Sequence, residues 1–248
     1  MGKSFFNGIS ITVESTGETF HTLRDWSLYI KNSDYIKEPK QYTKYIEIPG
    51  RSGLLDVSEA ISGRQIYTER QILVELSGIR EKQNWDGVIS AIRNKINGKV
   101  CRLIFDNDNS FYWRGRVAVK DFSSILRIGS FKLEVKAEPY KYGLTTSAEE
   151  WDWDPFDFET GMIIYIEPIT VTDSENVIIP PGQMLTCPDF IISSKLSAQF
   201  TVSVNGEEFS LSEGTNRIPS IMVGGDDETE LTFSGSAVVE IVYRSGSL

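Results

Sequence analysis

NWDGVISAIRNKINGK, Asn84 to Lys99, is the stretch where apolar spacing changes from two residues to three and four. Trp85, Val88, Ile89, Ile92 and Ile96 fall on one stripe of a helix and leave the opposite face polar. Asn84 is placed to cap the helix, and Asp86 stands in the first turn, near the positive end of the dipole. Lys95 lies near the other end, and Gly98 supplies the left-handed position beyond it. The spacing predicts a helix over Trp85–Asn97 with a single apolar face. Such a helix must lie on something else, and the surrounding sequence says what.

On both sides of it the period is two. Ile9, Ile11 and Val13 alternate with Ser10, Thr12 and Glu14, and after the STGE turn the segment TFHTL, Thr19 to Leu23, returns as a partner strand. Ile72, Val74 and Leu76 share one face, while Gln71, Leu73 and Glu75 share the other. KVCRLIF, FYWRGRVAVKDF and SFKLEVKA follow, each rich in strand formers and bounded by Asn, Asp, Ser or Gly. The first half therefore reads as a β domain with one accessory helix. Beyond AEPYKYG, short strands resume. Asn205-Gly206 between AQFTVSV and EEFSL marks a two-residue hairpin whose central residues need positive φ. ETELTFSGSAVVEIVYRSG supplies two more strands around Gly235. Strands at this spacing without helices predict a β-sandwich.

Charge divides the chain at the same place. Of 248 residues with a formal net charge of −10, residues 1–143 carry 22 Lys and Arg against 17 Asp and Glu, and residues 144–248 carry 3 against 18. So abrupt a step predicts two domains, 1–143 and 144–248. The acidic second half would repel a phosphate backbone, so no nucleic-acid partner is expected. No apolar run approaches the ~20 residues of a membrane helix, and no membrane association is expected. The N-terminal MGKSFFNGIS lacks the apolar stretch of a secretory signal. Cys101 and Cys187 are too few and too far apart for a disulfide framework, and they suit a reducing compartment.

Chemistry is scarce. A Ser-His-Asp or Cys-His unit would have to use His21, the sole histidine, which falls inside a predicted strand. GRSG, Gly50 to Gly53, is too short for a phosphate fingerprint and leads into no clear helix. GGDDETE and DSEN lack the alternating oxygens of a calcium loop. No catalytic residue, metal site or cofactor is expected. Trp151-Asp-Trp153-Asp-Pro-Phe-Asp-Phe admits two readings. It is a linker whose aromatics pack on their own domain, or a sugar platform in which Trp151 and Trp153 stack on pyranose faces. Neighbours on one strand do not set the ~5–9 Å separation a glycosidase pair needs.

One long stretch has no period. PGRSGLLDVSEAISG, Pro49 to Gly63, is rich in glycine and serine, yet it carries Leu54, Leu55, Val57 and Ile61. These residues are too apolar for a disordered linker. Either the stretch folds back over its own barrel, or a neighbouring subunit buries these residues, with Gly50 and Gly53 shaping the backbone and Arg51 supplying a cross-interface charge. Pro49, Gly50, Arg51, Gly53, Leu54, Leu55, Val57 and Ile61 are therefore the candidate subunit contacts.

The order of these segments resembles a known family. SFFNGIS at the start, YIEIPGRSGLLDVSEAISG, a single helix followed by strands closing at KLEVKAEPYKYG, and an acidic β domain ending NRIPSIMVGGDDETELTFSGSAVVEIVYRSGSL are similar to the distal tail (Dit) proteins of long-tailed bacteriophages. The resemblance implies a mainly β fold: an N-terminal tail-tube-like β-sandwich or barrel with an accessory helix and a hairpin, and a C-terminal galectin-like β-sandwich. It implies a hexameric ring of identical chains, stacked in some members, at the virion tail tip, assembled in the bacterial cytoplasm. The ring would join the tail-tube protein to tail-associated lysin, fibre or receptor-binding proteins. An alternative is a carbohydrate-binding module acting in host-surface adsorption. Residues 144–248 contain no histidine, however, and so lack the His-Asn-Arg set with which galectins hold galactose.

Overall fold

The computed structural model describes residues 7–32, 35–60, 64–80, 84–148, 166–196 and 198–248. The chain forms two compact units, Met1–Lys141 and Tyr142–Leu248. Both are built from antiparallel sheets, and the protein is mainly β.

In the first unit β1 (Ile9–Val13) and β2 (Thr19–His21) form a hairpin, followed by helix α1 (Thr22–Trp26) and β3 (Tyr29–Ile30). A ribbon of β4 (Tyr45–Ile46) and β5 (Leu55–Asp56) comes next. Then follow β6 (Arg70–Ile79), helix α2 (Trp85–Ile96), β7 (Val100–Phe105), β8 (Asp108–Ile125) and β9 (Ile128–Ala137). The main sheet runs β2-β1-β7-β8-β9-β6-β3. It curls until its margins meet. Ile30 N donates to Asn7 O (3.0 Å), Tyr35 Oη donates to Asn107 Oδ1 (3.1 Å), and the Tyr35 ring stacks on Phe105 at 4.8 Å. One core fills the curl. Ile9, Ile11 and Val13 from β1, Ile72, Val74 and Leu76 from β6, and Phe131, Leu133 and Val135 from β9 all point into it, as their alternation requires.

Helix α2 closes that core. Trp85, Ile89, Ile92 and Ile96 are buried, whereas Val88 at the edge of the stripe is only half-buried. Each fully buried isoleucine contributes about 1.5–3 kcal/mol, so the single apolar face is enough to seat the helix. Gly98 takes φ +77° just past its end, and Asn97 Oδ1 accepts from Val119 N (2.8 Å). The N-terminus differs from the sequence expectation: Asn84 has helical backbone angles, and its side chain makes no cap bond. The sheet makes room for Trp85 at Gly129, while Gly78 admits the backbone of Ser27 and the side chain of Leu28. Gly78 and Gly129 face each other across β6 and β9, and a Cβ on Gly129 would stand 2.5 Å from the Trp85 ring.

The partner strand expected over Thr19–Leu23 stops at His21, where a second, short helix begins. His21 Nδ1 accepts from Leu23 N (3.2 Å) and Arg24 N (3.1 Å), and Asp25 Oδ2 accepts from His21 N (2.6 Å). This exchange satisfies backbone donors that a strand ending would leave open, and so it turns the chain into α1.

Where the chain passes into the second unit, β10 (Lys141–Gly143) pairs with the last strand, β19 (Gly246–Ser247). Between them lie β11 (Ile169–Val171), β12 (Ser174–Ile179), β13 (Asp189–Ile192), β14 (Phe200–Val204), β15 (Glu207–Leu211), β16 (Gly214–Arg217), β17 (Thr229–Ser234) and β18 (Ala237–Val242). They form two four-stranded sheets, β11-β18-β13-β16 and β12-β17-β14-β15. The sheets form a sandwich over one core, in which Phe233 meets Phe190 edge-on at 5.9 Å and stacks on Phe200 at 6.0 Å. Asn205 and Gly206 take φ 52° and 83°, the positive angles that the two-residue turn between β14 and β15 demands. Ser147, fully buried, ties the start of this unit to β18: its Oγ donates to Ile241 O and accepts from Tyr243 N.

Candidate functional site

The aperiodic stretch after Ile46 is not wholly irregular. Tyr45 and Ile46 pair with Asp56 and Leu55, which makes the arm a β-ribbon with a broad tip. The ribbon continues from the main sheet: Lys37 N donates to Gln71 O, Thr68 N to Lys40 O, Tyr42 N to Ile66 O and Val57 N to Lys44 O. Its base is fixed by Arg70, buried beneath the ring of Trp113 at 4.4 Å with its Nε donating to Pro139 O (3.0 Å).

Within the tip Pro49 and Gly50 make a turn, and Arg51 N closes it on Ile48 O (3.1 Å). Gly50 and Gly53 take φ +83° and +82°, with open space around both, so backbone shape rather than crowding explains them. Past the tip, Ser58 donates to Asp56 Oδ1 through both its backbone N and its Oγ. These bonds hold the exposed Asp56 carboxyl below its ordinary range. Of the sequence-predicted contacts, Pro49, Gly50, Arg51, Gly53 and Leu54 are exposed. Leu55 and Val57 are half-buried along the ribbon, and Ile61 lies outside the described residues. The structure adds residues the sequence reading did not single out: Tyr42, Tyr45, Ile46 and Ile48 are 37–52 % exposed on the same ribbon, and Leu54 is 59 % exposed. The arm thus presents aromatic and aliphatic groups to the outside.

A second apolar surface lies at the other end of β6. Ile79 pairs with Ile128, and Ile128 pairs with Ile125, so the three isoleucines form one row across three strands. They are 66 %, 54 % and 76 % exposed, and Leu126 in the adjoining turn is 75 % exposed. The row belongs to the sheet face that elsewhere is mostly polar. On that face Lys132 pairs with Asp121 (2.9 Å), Lys120 with Glu134, and Gln71 Nε2 donates to Glu134 (3.1 Å). The signal for the row was parity. Ile72, Val74 and Leu76 point inward, which sends Ile79 outward, and Phe131, Leu133 and Val135 do the same for Ile128.

His21 caps α1, and its Nε2 lies 3.0 Å from Asp106 Oδ1. Burial pushes the Cys101 thiol up to about 11, far from a nucleophile's range. Arg114 is clasped between Glu14 and Glu138, which raises its affinity for its proton. Among the described residues there is no group of three or more His, Cys, Asp or Glu side chains placed to hold a metal, and no helix long and apolar enough to cross a membrane. Trp151 and Trp153, the candidate sugar contacts, lie outside the described residues.

No family model and no curated protein matches the sequence. Among solved structures, the chain is similar to the Dit protein (gp 19.1) of phage SPP1, presented as a paradigm of the hub adsorption apparatus in phages that infect Gram-positive bacteria. The likeness covers 97 % of this chain and 99 % of that one, with a TM-score of 0.59 at 11 % sequence identity. The two proteins therefore share a fold along their whole length.

Proposed function

We propose that this chain is a structural hub of a phage or prophage tail tip. Copies of the first unit close into a ring, hexameric in this reading, that continues the tail tube. The second unit is its galectin-like outer domain. The ring joins the tail-tube protein to the tail-associated lysin, fibre or receptor-binding proteins, is assembled in the bacterial cytoplasm and carries out no catalysis. The observation that carries the reading is the full-length fold likeness to the SPP1 hub protein. The exposed apolar arm supports it, because a surface of that kind in water calls for a partner.

The test is the mass of the purified protein by light scattering, with negative-stain images. Closed rings are expected. A variant whose residues 51–62 are replaced by a Gly-Ser linker should keep its circular dichroism and lose the ring. A wild-type protein that stays monomeric would overturn the hub, and a ring that survives loss of the arm tip would remove the arm from assembly.

A further inference from the structure

We propose that the arm of one copy seats on the isoleucine row of the next, so that Ile79, Ile125, Leu126 and Ile128 are the acceptor surface of the ring contact. This rests on the hub reading, since it needs copies to associate.

The row is out of place on a solvated face. Strand positions that point outward are ordinarily polar, and along β9 they are: Ser130, Lys132, Glu134 and Lys136. Only at the hairpin tip does the series turn to isoleucine, and it does so in register on three strands. Four large apolar side chains, each more than half exposed, lie together on one edge of the sheet, and exposed apolar patches of this kind mark interaction sites.

The patch is also stiff. Arg127 O, in the turn between β8 and β9, accepts from Arg80 N (2.7 Å) and from Trp85 Nε1 (3.2 Å). Beneath it the Trp85 ring is lodged against Gly129. A surface held this way loses little conformational freedom on docking.

The choice of occupant follows from the geometry of one strand. The arm leaves the sheet at Arg70, where β6 begins, and the row stands at Ile79, where β6 ends. Nine residues of extended chain separate them by roughly 30 Å. A single chain has no means of laying its own arm tip on its own row. A ring made of head-to-tail contacts needs two unlike surfaces on each copy, and these two stand at opposite ends of one unit. Their chemistry matches: Tyr45, Ile46, Ile48 and Leu54 on the arm meet isoleucine and leucine on the row. Charge agrees, because the arm from Tyr45 to Asp56 carries Glu47 and Asp56 against Arg51, while exposed Arg127 borders the row.

Two measurements test the seat. In the first, Ile125→Asp and Leu126→Asp are made singly and weighed by light scattering, with Ile178→Asp, an exposed isoleucine of the second unit, as control. The mass of both row variants should fall to that of one chain with circular dichroism unchanged, while the control keeps the wild-type mass. In the second, a Leu54→Cys, Ile125→Cys double variant is treated with a short thiol cross-linker and run on a denaturing gel. A ladder of linked chains should appear, and neither single variant should give it. Row variants that remain rings, or a ring-forming double variant without a ladder, would overturn the seat and leave the hub standing. A monomeric wild type would overturn both.

Discussion

Gly129→Ala is expected to loosen helix α2 from the strand it packs on. Gly129 has no need of a glycine backbone: it sits in extended strand, opposite Gly78 on one side and Ser124 on the other. The added Cβ would stand 2.5 Å from two carbons of the Trp85 ring and 2.6 Å from a third. Trp85 is 1 % exposed and has no free side to retreat to, with Phe122 packed at 6.1 Å. Overpacking of this kind costs about 1–3 kcal/mol. If the indole turns away, the Trp85 Nε1 bond to Arg127 O goes too, a further ~1 kcal/mol. Against this, alanine in a strand interior regains about 0.5–1 kcal/mol over glycine. The steric cost wins, and with the bond lost the first unit should lose about 1–3.5 kcal/mol, or several degrees in melting temperature. Urea unfolding followed by tryptophan fluorescence reads the loss. A cycle with Trp85→Leu isolates its cause: the smaller side chain leaves space for the methyl, so Gly129→Ala should cost at least ~1 kcal/mol less in that background. Equal costs in the two backgrounds would show that Trp85 does not occupy the glycine slot.

Ile92→Asp places a carboxylate in the middle of the buried helix stripe and should abolish the cooperative melt of the first unit by circular dichroism. A fragment of residues 142–248, which retains the Ser147 tie to β18 and its own core, should give a dispersed amide NMR spectrum. Glu14→Gln should cost under about 1 kcal/mol at neutral pH, since the network with Arg114 and Arg102 is partly exposed. The Arg114 hydrogen bond holds the Glu14 carboxyl below its ordinary 4.5, so its contribution is present above that value and lost as pH falls through the folded pKa. The gap between wild type and variant should therefore close in acid, as read by urea midpoints across pH.

The helix stripe, the inward faces of β1, β6 and β9 and the Asn205-Gly206 turn were legible because each is a local pattern. Three things were not. The Gly78–Gly129 pair joins residues 51 apart, and Gly129 by itself reads as a strand boundary. His21 reads as a strand residue because alternation ignores what an imidazole nitrogen does for the next turn's amides. The arm reads as a strand at Ile46 and Ile48 running into a loop, because the returning strand, Leu55–Asp56, is two residues long and has no alternation of its own. Ile79, Ile125 and Ile128 are a different case. The outward parity of Ile79 and Ile128 was readable, whereas Ile125, of the same parity as the inward Val117 and Val119, turns outward only because β8 shifts register between Lys120 and Ser123. Whether an outward face meets water or another chain depends on neighbours in register, which is a property of the sheet.

The hairpin tip between β8 and β9 therefore serves two purposes on its two faces. Inward, Gly129 admits Trp85 and with it the whole of α2. Outward, the residue before it, Ile128, joins the exposed row. The Arg127 carbonyl links the two, since it is held by Trp85 from the core side while its own residue borders the row. Packing of the helix and shape of the row are thus set by the same few bonds. Substitutions at Ile125 or Leu126 act on the outer face alone and leave those bonds intact. Substitutions at Gly129 or Trp85 displace the turn itself, so they reach the outer surface through the core. That asymmetry explains how a surface so apolar keeps one shape in the free chain: it is fixed from beneath, by packing that requires no partner.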